Sequence, residues 1–227
     1  MQLSSIDTIF FDVGNTLLFQ NHRRTLAALH EHGVSPSREL LYSIERRTKP
    51  EFDAQMVNGG KADHSFWWMF YAHLLDELGI DDASVHNALV GATRLSENWS
   101  HCLTGTREQL QDIGKRYRIG VISNADGKIS QVLTHCDLAD CFLTITDSGI
   151  VGHEKPAAEI FAAALSQMGA SAQTSLYVGD VYSVDYCGAT QAGMQAVLFD
   201  VSGTYRDLGL PRVESLQELN QRLSKDR

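Results

Sequence analysis

Beyond residue 106 the chain switches repeatedly between two periodicities. Short apolar, β-rich runs at residues 119–123, 143–146, 175–179 and 195–199 alternate with segments at 106–117, 128–135, 157–168 and 183–192 of helical spacing. Unbroken alternation of this kind predicts a parallel sheet covered by helices on both faces. An earlier apolar run, IDTIFF at residues 6–11, ends in Asp12 and reads as a buried strand feeding a loop. From there to residue 98 the pattern is helical. One helix is predicted over 22–32, with Leu26 and Leu29 inward and Gly33 closing it. Another starts at Ser35 and Pro36, a cap followed by proline at the first helical position. Residues 49–60 hold Pro50 and the Gly59-Gly60 pair and read as a loop. Residues 63–78 place Phe66, Trp67, Phe70, Tyr71, Leu74 and Leu78 on one helical face, and 83–96 place Val85, Leu89, Ala92 and Leu95 inward. The pattern therefore predicts an α/β fold with a doubly wound parallel sheet, whose first strand is separated from the rest by a helical insertion. The expected boundaries are 1–19 with 99–227 for the α/β core and 20–98 for the insertion.

Composition narrows the partners. Nineteen Lys and Arg against twenty-eight Asp and Glu give a formal charge of −9 over 227 residues. That balance argues against binding nucleic-acid backbones or anionic lipid. No apolar run approaches a membrane span, and the first residues lack the basic and apolar regions of a signal peptide, so a cytoplasmic protein is expected. The four cysteines, Cys102, Cys136, Cys141 and Cys187, are too irregular for a zinc ribbon and read as reduced, mostly buried thiols. His30 and His32 lie two apart and do not share a helical face, which excludes a metal pair there. Oligomeric state has no signature.

In an open α/β sheet, ligands bind where the carboxyl ends of the strands meet. Here those ends carry Asp12, then Ser123 and Asn124, then a loop leading to Lys155, then Gly179-Asp180 with Asp185 five residues on. Clustered carboxylates repel unless a cation, a lysine or a shared proton intervenes. An all-oxygen set suits Mg²⁺ better than Zn²⁺.

The segments DVGNT (12–16), VISNA (121–125), EKP (154–156) and GDVYSVD (179–185) fall in this order at predicted strand ends. Together they resemble the four motifs of the haloacid dehalogenase-like (HAD) hydrolase superfamily. The helical stretch between the first two resembles that family's helical cap, and VGDVYSVDYCGATQAGM is similar to its phosphatase-like branch. The resemblance implies a Rossmann-like core, a small phosphorylated substrate, Mg²⁺ and an aspartyl-phosphate formed on Asp12. It assigns the phosphoryl oxygens to Ser123 and the N–H that follows it at Asn124, with Thr16 in the same set. Lys155 would orient nucleophile and phosphoryl group. Asp12, the Gly14 carbonyl, Asp180 and Asp185 would surround the metal.

One position departs from the pattern. The family's phosphatases have a second Asp two residues after the nucleophile as general acid and base, and here that residue is Gly14. Losing such a group costs about 10²–10⁴-fold in rate, so slow hydrolysis of alkyl esters is expected, with activated esters suffering less. His22 and His64 are the candidate replacements, though each also reads as an ordinary surface or core histidine. A 2-haloacid dehalogenase using the same Asp, and a catalytically impaired binding protein of the same fold, are the alternatives. Asp126 reads as a helix N-cap, Arg23 and Arg24 as a solvated helix face, and Trp67 and Trp68 as core of the insertion.

Overall fold

A computed structural model describes residues 5–57 and 65–225. Strand β1 (Thr8–Phe11) has four consecutive buried residues, because both faces of the sheet are covered. Its side chains alternate between the faces. Ile9 and Phe11 join an apolar cluster with Val121, Leu176 and Leu219, while Phe10 joins Ile122, Phe161 and Tyr177 on the other side.

After β1 come β2 (Leu18–Phe19), α1 (His22–Thr25), α2 (Ala27–Glu31), α3 (Arg38–Val57), α4 (Ser65–Glu77), α5 (Ala83–Arg94) and β3 (His101–Cys102). The alternating part follows: α6 (Thr106–Gly114), β4 (Arg118–Ser123), α7 (Ile129–His135), β5 (Thr144–Asp147), α8 (Ser148–Val151), α9 (Ala158–Met168) and β6 (Ser175–Gly179). It closes with α10 (Cys187–Gln191), β7 (Gln195–Phe199), β8 (Arg212–Val213) and α11 (Leu216–Lys225). The sheet order is β5-β4-β1-β6-β7-β8, all parallel, with Thr8 level with Arg118 on one side and Ser175 on the other. The chain winds outward from β1 through β4 and β5, then returns to β6 on the opposite flank. The crevice at this reversal, between the ends of β1 and β6, is where such a sheet binds ligands.

The helices α2 to α5 bury their own apolar cluster, including Leu29, Ile44, Phe52, Phe70, Tyr71 and Leu89. Val184, from the π-helical turn Tyr182–Tyr186 after β6, packs into it, so this cluster sits over the carboxyl edge of the sheet. Where the chain leaves and rejoins the sheet, β2 and β3 pair antiparallel.

Several expectations need correction. The expected loop at 49–60 is helical as far as Val57, and Pro50 lies inside α3. An interior proline costs a helix ~3 kcal/mol; here the same turn buries Lys49, Phe52 and Asp53, whose tertiary contacts offset that cost. The start of α3 is capped by Ser37, whose Oγ accepts the Leu40 N–H at 3.1 Å, not by Ser35. The predicted helix at 22–32 is broken at Leu26 into α1 and α2. Leu95 ends outside α5, 44% exposed, and Trp68 is 50% exposed against His86. The β2–β3 pair, β8 and α11 are additions that the periodicity did not announce. Among the described residues no helix is long and apolar enough to cross a membrane.

Candidate active site

Asp12 stands at the first position beyond β1, its N–H bonded to the Val178 carbonyl of neighbouring β6 at 2.8 Å. The sheet itself therefore sets its height in the crevice. The loop beyond it turns on Val13, whose carbonyl accepts the N–H groups of Thr16, Leu17 and Leu18. Asn15 takes a left-handed conformation, φ 53°, which asparagine tolerates better than most residues. From there its side-chain amide donates to Asp180 Oδ2 at 3.4 Å.

Lys155 reaches the same point from the loop before α9. Its Nζ donates to Asp12 Oδ1 at 2.6 Å, to Asp185 Oδ1 at 2.8 Å and to the Tyr177 hydroxyl at 2.7 Å. Its backbone is clamped by Asn124, which accepts the Lys155 N–H at 2.7 Å and donates to the Lys155 carbonyl at 3.0 Å. Asp185 is fixed by the Val181 N–H, which donates to its Oδ2 at 2.9 Å. A Cβ at position 179 would lie 2.5 Å from the Asp185 carboxyl carbon, so only glycine at the end of β6 lets that carboxylate approach.

A second ammonium arrives from the helical insertion. Lys49 on α3 donates to the Asp180 carbonyl at 2.8 Å and pairs with Asp180 Oδ2 at 3.0 Å and Glu45 Oε1 at 2.6 Å. One turn on, Asp53 accepts the Ser183 N–H at 2.9 Å and the Tyr205 hydroxyl at 3.0 Å. Glu45, Lys49 and Asp53 are spaced four apart, so they share the face of α3 turned to the sheet edge.

Electrostatics follow from this crowding. Burial above all, then the carboxylates of Asp185 and Asp180, push Asp12 up to about 7, although Lys155 pulls it down. Burial likewise raises Asp180 to about 6, with Lys49 opposing. Burial alone would depress the Lys155 ammonium, but Asp12 and Asp185 outweigh it and hold its pKa above the ordinary value. Oxygen atoms of Asp12, Asp180 and Asp185 lie within 4.8 Å of one another, all buried. With Glu45 added, four carboxylates face the two ammoniums of Lys49 and Lys155. The donor chemistry, all oxygen and in excess of positive charge, fits a hard divalent cation such as Mg²⁺.

These groups open onto a cavity of about 350 Å³. The sheet side contributes Asp12, Gly14, Ser123, Asn124, Lys155, Asp180 and Asp185, and the helical side contributes Phe52, Phe66, Trp67 and Arg94. Thr16 does not line this cavity; it is buried, and its hydroxyl has no hydrogen-bond partner among the described residues. A Cβ at position 14 would meet the Trp99 ring at 3.3 Å. That indole donates to the Thr93 carbonyl at 2.8 Å and packs edge-on against Trp67. An aromatic wall thus covers the position where an acid was sought. His22 lines a neighbouring cavity, not this one, and His64 lies outside the described residues. Asp126 does not cap α7: Asp147 does, accepting the Gly127 and Ile129 N–H groups at 3.1 and 3.0 Å.

Asn15, Glu45, Lys49, Trp99 and Tyr177 were not singled out from the sequence. For Lys49 the available signal was the Glu45–Lys49–Asp53 spacing, which the proline beside it obscured.

A doubly wound sheet with a lysine-bridged carboxylate cluster at its reversal point, under a helical insertion, is the arrangement of a HAD-type protein. Residues 73–199 match the family described as haloacid dehalogenase-like hydrolase, and the chain belongs to it. The match begins inside α4, beyond Asp12. The chain is 33% identical over 214 residues to a ribulose-1,5-bisphosphate 5-phosphatase of Halopiger xanaduensis, covering 86% of this chain and 84% of that protein. It is 27% identical over 204 residues to a glyceraldehyde 3-phosphate phosphatase of Methanothermobacter thermautotrophicus, covering 85% of each. The fold also superposes on a putative HAD hydrolase of Bacillus subtilis bound to magnesium, with TM-score 0.69, 17% identity, and coverage of 96% of this chain and 98% of the other.

Proposed function

We propose that this chain hydrolyses phosphate monoesters of small molecules, with Asp12 as nucleophile. The observation that carries the reading is the Lys155 bridge: one buried ammonium holds Asp12 Oδ1 and Asp185 Oδ1, leaving Asp12 Oδ2 to attack phosphorus. The Asp12 Oδ2–phosphorus bond forms as the ester P–O bond breaks, and the alkoxide departs and takes its proton from solvent. Water then attacks phosphorus, releasing inorganic phosphate and restoring the carboxylate. Asp12, Asp180, Asp185 and the Gly14 carbonyl would hold Mg²⁺, which when bound supplies charge neutralisation for the phosphoryl oxygens. Ser123 and the backbone N–H of Asn124 receive those oxygens, while the Asn124 side chain holds Lys155 in place. Residues 20–98 act as the cap, and 1–19 with 99–227 as the catalytic core. The names of the two phosphatase relatives support this substrate class.

Glycine at position 14, faced by Trp99, leaves the departing alcohol without a carboxylic acid there. Aryl and acyl phosphates therefore turn over faster than alkyl esters, whose alkoxides need protonation. The same glycine is compatible with a second reading, attack of Asp12 on a halogen-bearing carbon. One panel separates the two: p-nitrophenyl phosphate with Mg²⁺, the same with EDTA, and 2-chloropropionate without metal. Phosphate release that requires Mg²⁺ and disappears in Asp12→Asn is expected. Chloride release in EDTA would overturn the phosphatase reading. Inertness toward every substrate, with phosphate analogues still bound, would mark an impaired binding protein.

A further inference from the structure

Beside the Asp12 cavity lies a larger one of about 510 Å³, and Asn15 and Trp67 line both. Its wall is basic, in a chain whose formal charge is −9: His22, Arg23, Arg38 and His101 all border it. Among the described residues Glu45 is the one carboxylate on that wall, and it is paired with Lys49 at 2.6 Å, an ammonium it shares with Asp180. Arg38 donates to the Tyr42 hydroxyl at 2.9 Å and stacks over that ring, so its guanidinium is held without a carboxylate partner among the described residues. Arg23 has no ion-pair partner among the described residues either. Burial above all, then the neighbouring His101, Arg38 and His30, hold His22 below its ordinary pKa.

Two guanidiniums without a carboxylate partner among the described residues, with two imidazoles beside them around one hollow, make a wall suited to an anion. Because the two cavities adjoin at Asn15 and Trp67, we infer that it receives a second anionic group of the same substrate. The substrate class is then a phosphate monoester bearing another anion at its far end, a bisphosphate or a phosphorylated acid. The scissile phosphate sits at Asp12, the carbon chain passes Trp67 and Asn15, and the remote anion meets Arg23 and Arg38. The inference rests on the phosphatase reading for what occupies the Asp12 end.

The test uses a graded series of α,ω-alkanediol bisphosphates and the matching monophosphates, assayed with Mg²⁺. At one chain length the bisphosphate is expected to exceed its monophosphate in kcat/KM by about tenfold or more, mostly through KM. In Arg23→Gln and in Arg38→Gln that ratio falls toward one. A ratio near one at every length in the unmodified chain, or a preference that survives both substitutions, overturns the inference. Should no ester turn over, the phosphatase reading fails by itself, and calorimetry with the non-hydrolysable bisphosphonates decides the subsite. Binding about tenfold tighter than the monophosphonates, lost in both variants, sustains it; equal binding overturns it.

Discussion

Two buried lysines meet the same group of carboxylates from opposite sides. Lys155 belongs to the sheet edge, and Asn124 grips its backbone at both the N–H and the carbonyl. Lys49 belongs to α3, whose apolar side is buried with the helical cluster rather than with the sheet. Lys155 is therefore part of the rigid frame that presents Asp12. The Lys49 contact depends on how the helical cluster lies on that frame. Both ammoniums offset carboxylate repulsion, but only Lys155 touches Asp12.

Methionine in place of each lysine tests this division. Lys155→Met removes the group that orients Asp12 and leaves two buried carboxylates without their ammonium. We expect kcat to fall by about 10²–10³-fold, as for loss of one preorganised charge-stabilising donor, and the melting temperature to drop as well. Lys49→Met leaves Asp12 and Lys155 in place, so the fall in kcat should be about tenfold, the result of a less fixed Asp180. Half-saturation by Mg²⁺ should then need less metal, since Asp180 loses a competing cation. Equal losses in the two variants would show that the frame extends into α3.

Gly14 lies between the two regions, with Trp99 opposite. Gly14→Asp alone should change alkyl phosphate hydrolysis little, because a side chain there meets the Trp99 ring. Gly14→Asp with Trp99→Leu should raise it by about tenfold or more, toward the usual contribution of a general acid, with aryl esters nearly unaffected. No gain in the double variant would refute the account of the missing acid.

The smallest effect concerns pH. Folded Asp12 keeps its proton up to about 7 and Asp180 up to about 6, against an ordinary 3.8. Between these values the folded chain binds more protons than the unfolded one, so metal-free stability falls as pH rises from 4 toward 7. Mg²⁺ competes with those protons, so its stabilising effect on the melting temperature should grow over the same interval. A metal-free melting temperature that rises steadily from pH 5 to 7, or a Mg²⁺ increment independent of pH, would contradict the assignment of these carboxylates.

The two halves of the site differ as much in legibility as in rigidity. Asp12, Ser123 and Asp180 are readable because each stands at the end of a buried strand, and strands announce themselves by local apolar runs; Lys155, beyond α8, is legible only through the order of the motifs. Parallel pairing then brings distant strand ends together. Lys49 had no such announcement. Pro50 beside it argued for a loop, and the contacts that keep α3 helical there lie more than a hundred residues away, at Asp180 and Ser183. The vacancy at position 14 was visible in the sequence; that an indole faces it was not.

By itself, then, the sequence determined an α/β architecture, its helical insertion and the strand-end carboxylates, all of which follow from local periodicity and from parallel pairing. Tertiary structure alone decided the direction of α3 over Pro50, the arrival of Lys49 at Asp180, the Trp99 wall and the basic cavity. Each of these depends on packing between segments remote in sequence, whose combined burial and ion pairing outweigh local propensity.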